Sequence, residues 1–202
     1  MWIALSILVV AVALILAGCQ AIRAGYESAP YQVVRSDGKF ELRDYPALTV
    51  VETPMANANG SDGSFMRLFR FITGANEAKQ KIAMTTPVFM SGSATNLTMA
   101  FVLPAKLKAD AVPKPADGAL TVRELAAGRF AVLRFSGGRS AKHEAESLGK
   151  LKAWMEVEKL SVLSPPVYGY FDPPWTPAFL RRNEVMLRTE SSAPINTPAK
   201  PN

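Results

Sequence analysis

The order of sequence patterns along this chain repeats once. Each copy reads strand, helix, strand, strand. The first copy covers residues 47–53, 61–72, 81–90 and 96–103, and the second covers 129–136, 139–159, 167–171 and 184–188. Each half therefore supplies one helix with an apolar stripe, which must be buried against a sheet. This pattern predicts an α+β domain whose helices pack on an antiparallel, curled sheet.

Three further strand patterns flank the repeated units. They lie at residues 31–35 and 40–44, around a Ser36-Asp37-Gly38 turn, and at residues 120–125. Runs rich in β-branched and aromatic residues between turn residues are typical of short strands. We therefore expect the folded domain to span residues 31–190.

The N-terminal segment has the character of an export signal. No charged side chain occurs in residues 1–19, and the apolar run from Trp2 ends in Leu16-Ala17-Gly18-Cys19. This ending resembles the bacterial lipobox, in which the cysteine is lipidated. It predicts a lipoprotein signal peptide over residues 1–18 and a lipidated Cys19 that anchors the chain by acyl chains. Because no Lys or Arg precedes the run, an uncleaved membrane helix is the alternative.

The segments outside the domain are short. Residues 19–30 are interpreted as a tether, and the polar, proline-rich residues 191–202 as a disordered tail. Gln20 rather than Asp follows the cysteine, so the expected location is the bacterial cell envelope, facing the periplasm, with the outer membrane favoured in a host with two membranes. Cys19 is the only cysteine, so no disulfide can form within the chain. We expect a monomer.

Charge and motifs exclude several classes of function. The net charge is +6, but it is spread along the chain without an Arg/Lys block. Export argues against nucleic acid, and a basic surface facing anionic lipid is the simpler interpretation. The sequence has no Gly-rich phosphate loop, no metal-ligand cluster and no nucleophile with a partner histidine in a known pattern. It therefore predicts a protein that is not an enzyme.

Three blocks of the sequence resemble the SOUL/heme-binding protein family over residues 31–188, in the family's order. They are FRFITGAN at 69–76 with KIAMTTPV at 81–88, AVLRFSG at 131–137, and YFDPPWTP at 170–177 with RRNEV at 181–185. The resemblance implies a duplicated β-α-β-β unit forming a distorted antiparallel β-barrel flanked by two helices. It also implies that heme or a related tetrapyrrole binds in an apolar groove beside the first helix.

The resemblance places this groove at four residues of the first helix. Phe65, Leu68 and Phe69 would contact the ligand, and Arg70 at the edge would bind a propionate. The alternative is that Phe65, Leu68, Phe69 and Ile72 form the apolar stripe by which the helix packs in the core, and that Arg70 is a solvated arginine.

Trp175 is a further candidate for contact with the ligand. It lies in the loop Pro173-Pro174-Trp175-Thr176-Pro177, where three prolines fix the backbone. An indole in a stiff loop suits a stacking wall for a flat ligand. The alternative is that Trp175 closes one end of the barrel.

The axial ligand of a bound heme is left unknown. His143 is the only histidine, and its position in the first turn of the second helix directs it away from the apolar face. We expect it to be solvated. Weaker candidates are Met84, Met90, Met99, Tyr168 and Tyr170.

The sequence therefore predicts an envelope-anchored binding protein for heme or a related tetrapyrrole, used for buffering or delivery. The alternatives are a module that binds another amphipathic small ligand and an envelope module that binds a protein partner.

Overall fold

The computed structural model describes residues 25–57, 61–93, 96–107 and 109–190. The predicted signal peptide, the lipidation site Cys19 and the tail over 191–202 lie outside these residues. No helix in the described ranges is long and apolar enough to cross a membrane.

The described chain contains two α-helices, two short 3₁₀ helices (Ala109–Ala111 and Ala178–Leu180) and eleven strands. The α-helices are α1 (Ser64–Ile72) and α2 (Ala141–Val157). The strands are β1 (Glu27–Ser28), β2 (Gln32–Asp37), β3 (Phe40–Tyr45), β4 (Leu48–Met55), β5 (Thr85–Thr86), β6 (Val88–Ser93), β7 (Asn96–Val102), β8 (Thr121–Leu125), β9 (Gly128–Phe135), β10 (Val167–Tyr170) and β11 (Asn183–Thr189). The repeated order strand, helix, strand, strand is confirmed, with α1 after β4 and α2 after β9.

Nine strands form one sheet in the order β2-β3-β9-β11-β10-β6-β7-β4-β8. All neighbouring pairs in it are antiparallel. The two shortest strands, β1 and β5, form a separate parallel pair. The predicted α+β class with an antiparallel sheet is thus confirmed. In this order β2 and β8 are the edge strands, so hydrogen bonds do not close the sheet into a complete barrel.

Two short connections require the sheet to curl. β3 and β4 are second and eighth in the sheet order, and β9 and β8 are third and ninth. Six strand spacings would separate each pair by about 29 Å in a flat sheet. Yet only residues 46–47 link β3 to β4, and only residues 126–127 link β8 to β9, a path of about 11 Å at full extension. The sheet therefore bends into a distorted, open barrel with a concave interior.

Strand alternation divides the core between the two faces of the sheet. On the outer face, one cluster lies under α1, around Leu68 and Phe71, and a second lies under α2, around Leu151 and Met155. A third cluster fills part of the concave interior and has Leu48, Val50, Phe89, Ala100 and Met186 among its buried members. In β4, for example, Val51 faces α1 whereas Val50 faces the interior. The helices and the interior are therefore on opposite sides of the sheet.

The fold includes residues that the sequence analysis assigned to the tether. Glu27 and Ser28 pair with Thr85 and Thr86. Ala29 is buried in the interior cluster, and its N–H donates to the carbonyl of Thr86 at 2.8 Å. The chain before Tyr31 thus helps to close the interior.

Candidate functional site

The first helix has two apolar faces. Leu68, Phe71 and Ile72 are buried against the sheet. By contrast, Phe65 and Phe69 remain 38% and 39% exposed. The helix therefore presents large apolar side chains to solvent as well as to the core, which is an arrangement typical of an interaction surface.

The exposed phenylalanines form an ordered pair. The rings of Phe65 and Phe69, one helical turn apart, have centroids 6.1 Å apart and lie within 13° of parallel. The ring of Phe65 also packs edge-on against Phe101, at 5.2 Å between centroids. Contact with the buried Phe101 holds Phe65 in place. The pair therefore offers a fixed aromatic surface rather than two freely rotating side chains.

Met66 and Arg70 complete this surface, which we call the α1 patch (Phe65, Met66, Phe69 and Arg70). Met66 is 47% exposed. The sequence analysis did not single it out, although its position three residues before Phe69 places it on the same strip of the helix. Arg70 is exposed, and within the described chain its guanidinium makes no hydrogen bond or ion pair. Arg70 is thus available to an anionic group of a ligand.

Arg67, on the same helix, has a structural role. Its guanidinium donates to Thr53 Oγ1 at 3.1 Å and to the carbonyls of Pro54 and Asp62 at 2.8 and 3.3 Å. Asp62 in turn accepts hydrogen bonds from the backbone N–H groups of Ala56 and Ser64. Burial of Asp62 opposes its ionisation, but hydrogen bonds from Ser64 and Ala56 lower its pKa to about 2. These bonds fix the start of α1 and with it the patch.

Leu68 and Trp175, also predicted to contact the ligand, lie outside the α1 patch. Leu68 is fully buried and supports the helix from below. Trp175 is 73% exposed, and its loop is held by hydrogen bonds from Arg181 to the carbonyls of Thr176 and Pro174. The neighbouring Ala178 accepts from the N–H of Gly137 at 2.9 Å. Trp175 has no ring contact with Phe65 or Phe69, so its role in binding stays a prediction.

The side chains considered as axial ligands are distributed over the fold. His143 is exposed, as predicted. Met99 is buried in the core under α1, against which Met84 and Met90 also pack. Among the residues the structure describes, no group of His, Cys, Asp and Glu is arranged to hold a metal ion.

The two tyrosines of β10 already have hydrogen-bond partners. Tyr170 donates from its hydroxyl to the carboxylate of Glu144 at 2.6 Å, and Tyr168 donates to the carbonyl of Glu144 at 3.4 Å. Burial and the neighbouring carboxylate raise the pKa of both hydroxyls. Both hydroxyls are therefore neutral hydrogen-bond donors at neutral pH.

The concave interior holds a buried ion cluster. Arg43 and Glu184 are fully buried and form two hydrogen bonds, at 2.8 and 3.0 Å. Glu41 and Arg182 extend the cluster, with contacts of 2.7 Å to Arg43 and Glu184 respectively. Burial of Glu184 opposes its ionisation, but the donors from Arg43 and Arg182 lower its pKa below the usual value. The cluster is therefore charged at neutral pH.

The fold resembles several solved structures. It aligns with the C-terminal domain of EcmrR at a TM-score of 0.56 and 12% identity, covering 79% of this chain and 98% of that one. It aligns with a hydrolase from Listeria innocua at a TM-score of 0.57 and 9% identity, covering 78% and 94%. At such identities these likenesses establish the fold alone.

Sequence comparison gives the relationship. The chain is 28% identical to human Heme-binding protein 2 over 184 residues, which cover 85% of this chain and 88% of that protein. Residues 26–188, which include both halves of the duplicated domain, match the family model of the SOUL heme-binding proteins. The chain therefore belongs to the SOUL heme-binding protein family. The resemblance inferred from the three sequence blocks is confirmed, and membership supports heme or tetrapyrrole binding.

Proposed function

We propose that this protein is a non-enzymatic, envelope-anchored binding protein that holds heme or a related tetrapyrrole reversibly on the α1 patch, for buffering or delivery. The observation that carries the proposal is the fixed, exposed pair Phe65–Phe69 beside Arg70, which has no hydrogen-bond or ion-pair partner among the described residues, in a member of a heme-binding family. The α1 patch fits a ligand with a flat, apolar ring system.

The side chains of the patch suit the separate parts of a tetrapyrrole. Near-parallel phenyl rings provide apolar and stacking contact with a macrocycle. The guanidinium of Arg70 can bind a carboxylate with two hydrogen bonds. Met66 supplies a thioether sulfur, a type of ligand that heme iron accepts in some proteins. Bound heme would bring a redox-active iron, which the protein would keep out of free solution.

The exposed position of the patch supports reversible rather than permanent binding. A ligand lying on one helix face is contacted from one side, so less of its apolar surface is removed from water than in an enclosed pocket. Exchange with a donor or acceptor is then fast, as buffering and delivery require.

The anchoring part of the proposal is based on the sequence Leu16-Ala17-Gly18-Cys19 after an apolar run. Lipidation of Cys19 would hold the domain at the membrane surface by its acyl chains. In this arrangement the domain would lie in the periplasm, with the outer membrane favoured where there are two membranes.

The test compares hemin with its dimethyl ester, which lacks free carboxylates. Residues 20–202 are titrated with each ligand, as wild type and as Arg70→Glu. We expect the substitution to lower the affinity for hemin by about tenfold or more and the affinity for the ester by less than about threefold. Lys152→Glu, at an exposed position on α2, is the matched charge control and should change neither affinity. Equal weakening of both ligands, or none, would contradict the proposed propionate contact.

A further inference from the structure

An apolar cavity of about 220 Å³ lies inside the curled sheet, on the side opposite α1 and α2, and is partly open to solvent. Its apolar lining comes from seven strands and two turns: Pro46, Leu48, Phe89, Ala100, Leu125, Ala126, Phe130, Val167 and Met186. The cavity is at the end of the interior where residues 46–47 and 126–127 draw the two halves of the sheet together.

One cation in the cavity wall has no carboxylate partner. The guanidinium of Arg188 donates to the carbonyls of Ala126 and Ala127 at 2.7 and 2.9 Å. It lies 5.2 Å from the ring centre of Phe130. None of the ion pairs found among the described residues involves Arg188. Both hydrogen bonds use Nη2, so Nε and Nη1 remain to bind another acceptor.

Gly128 leaves room for this guanidinium. A Cβ at Gly128 would lie 2.5 Å from Nη1 of Arg188 and 2.6 Å from its central carbon. Any side chain at residue 128 would therefore displace the guanidinium from its position over the cavity wall. The carbonyls of the β8–β9 turn and the missing side chain at Gly128, the first residue of β9, thus position Arg188.

The other charges of the lining compensate each other. Glu52 and Arg123 form an ion pair at 2.6 Å. The hydroxyl of Tyr45 accepts a hydrogen bond from Arg43 at 3.0 Å, and burial raises the pKa of Tyr45 to about 12, so it is neutral. The net charge of the lining is therefore the single positive charge of Arg188, which calls for an occupant with one negative charge.

We propose that this cavity is a second binding site, which takes a small amphiphile with an apolar body and a single carboxylate bound by Arg188. Its apolar lining and single unpaired cation suit an alkyl chain that carries one carboxylate, whereas heme carries two propionates. Because the α1 patch is on the other side of the sheet, the two sites are independent.

The test uses the full-length chain in nanodiscs of zwitterionic lipid, with empty nanodiscs as the blank. Calorimetric titrations with octanoate, octanol and octylammonium separate the contribution of the charge from that of the apolar body. We expect octanoate to bind at least about tenfold more tightly than either of the others. Equal binding of octanoate and octanol, or no binding of octanoate, would overturn the proposal.

Two variants locate the site. Arg188→Gln should lower the affinity for octanoate by about tenfold and the affinity for octanol by less than about threefold. Ala100→Leu adds apolar atoms to the cavity wall and should weaken both ligands. If Arg188→Gln does not fold, Arg188→Lys keeps the charge but loses the planar fork, and should still weaken octanoate. If folded variants at residues 188 and 100 both bind octanoate with unchanged affinity, the assignment of the site to this cavity is overturned.

A competition experiment separates this proposal from the proposed heme site. Saturating octanoate should leave hemin affinity unchanged within about twofold. Loss of octanoate binding in Arg188→Gln with normal hemin binding supports two sites. Displacement of hemin by octanoate would contradict their independence.

Discussion

At the scale of single residues, the buried pair Arg43–Glu184 shows what the sequence cannot predict. The two residues are separated by 141 positions in the chain, and they meet only because β9 pairs with both β3 and β11. No local pattern indicates that order of strands. A buried pair of this kind adds little net stability compared with an apolar pair, but removing one partner leaves the other charge buried.

Glu184→Gln tests the contribution of this pair. We expect a loss of about 3–5 kcal/mol in the free energy of unfolding at neutral pH, because Arg43 and Arg182 lose a buried partner. The folded-state pKa of Glu184 is lowered, so its stabilising effect is present above the usual value of 4.5 and is lost as the pH falls below it. Urea unfolding should be measured at neutral pH and at about pH 3. The free energy of unfolding should fall more between these two pH values in the wild type than in Glu184→Gln. An equal fall in the free energy of unfolding for both proteins would contradict the conclusion that ionised Glu184 stabilises the fold.

His143 was correctly predicted to be exposed because helix phase and capping are local properties. Ser140 caps α2 by accepting from the N–H of His143 at 3.2 Å, and the imidazole Nδ1 lies 3.1 Å from the carbonyl of Gly138. We expect His143→Ala to change hemin affinity by less than about threefold, as measured by absorbance titration. Loss of the bound spectrum in this variant would restore histidine as the axial ligand.

At the scale of elements, α1 was predicted as a helix, but its buried face is rotated from the one expected. The apolar stripe was drawn through Phe65, Leu68, Phe69 and Ile72. In the structure Ser64 is fully buried instead of Phe65, and its hydroxyl lies 3.8 Å from the sulfur of Met99. A buried serine has no hydrophobic signature, so the pattern alone could not show that Phe65 and Phe69 remain exposed.

This rotation predicts opposite effects for two neighbouring substitutions. Leu68→Ala should lower the free energy of unfolding by about 2–5 kcal/mol, because it leaves a cavity under α1. Phe69→Ala, at a half-exposed position, should cost less than about 1 kcal/mol and should weaken hemin by about tenfold. Denaturant unfolding and hemin titration of both variants provide the measurement. A greater loss of stability in Phe69→Ala than in Leu68→Ala would contradict the assignment of the two faces.

At the scale of the whole molecule, the duplicated order of elements and a curled sheet were predicted from the sequence, whereas the residues that line the concave interior were not. Strand patterns predicted which residues are extended, and the alternation within β4 follows from them. The order of strands and the curl of the sheet arise from long-range pairing. The interior cavity and the ion cluster depend on both, and so no sequence motif indicated either of them.

The proposed envelope anchor also concerns the chain as a whole. Cys19→Ser should block lipidation and leave an unprocessed precursor, because the thiol is the group that is modified. Metabolic labelling with a radioactive fatty acid and gel mobility of the expressed protein measure this, with Ser28→Ala as a control in the folded part. Normal processing and labelling of Cys19→Ser would contradict the lipoprotein assignment.

The central claim is that this protein binds heme on the α1 patch, and absorbance titration with hemin tests it most directly. Residues 20–202 are compared with the double variant Phe69→Ala/Arg70→Glu, both shown to be folded by circular dichroism. The account predicts a saturable shift and sharpening of the porphyrin absorbance band for the wild type, and an affinity lower by at least about a hundredfold in the double variant. No saturable change in the wild type, or an unchanged affinity in the folded double variant, would contradict it.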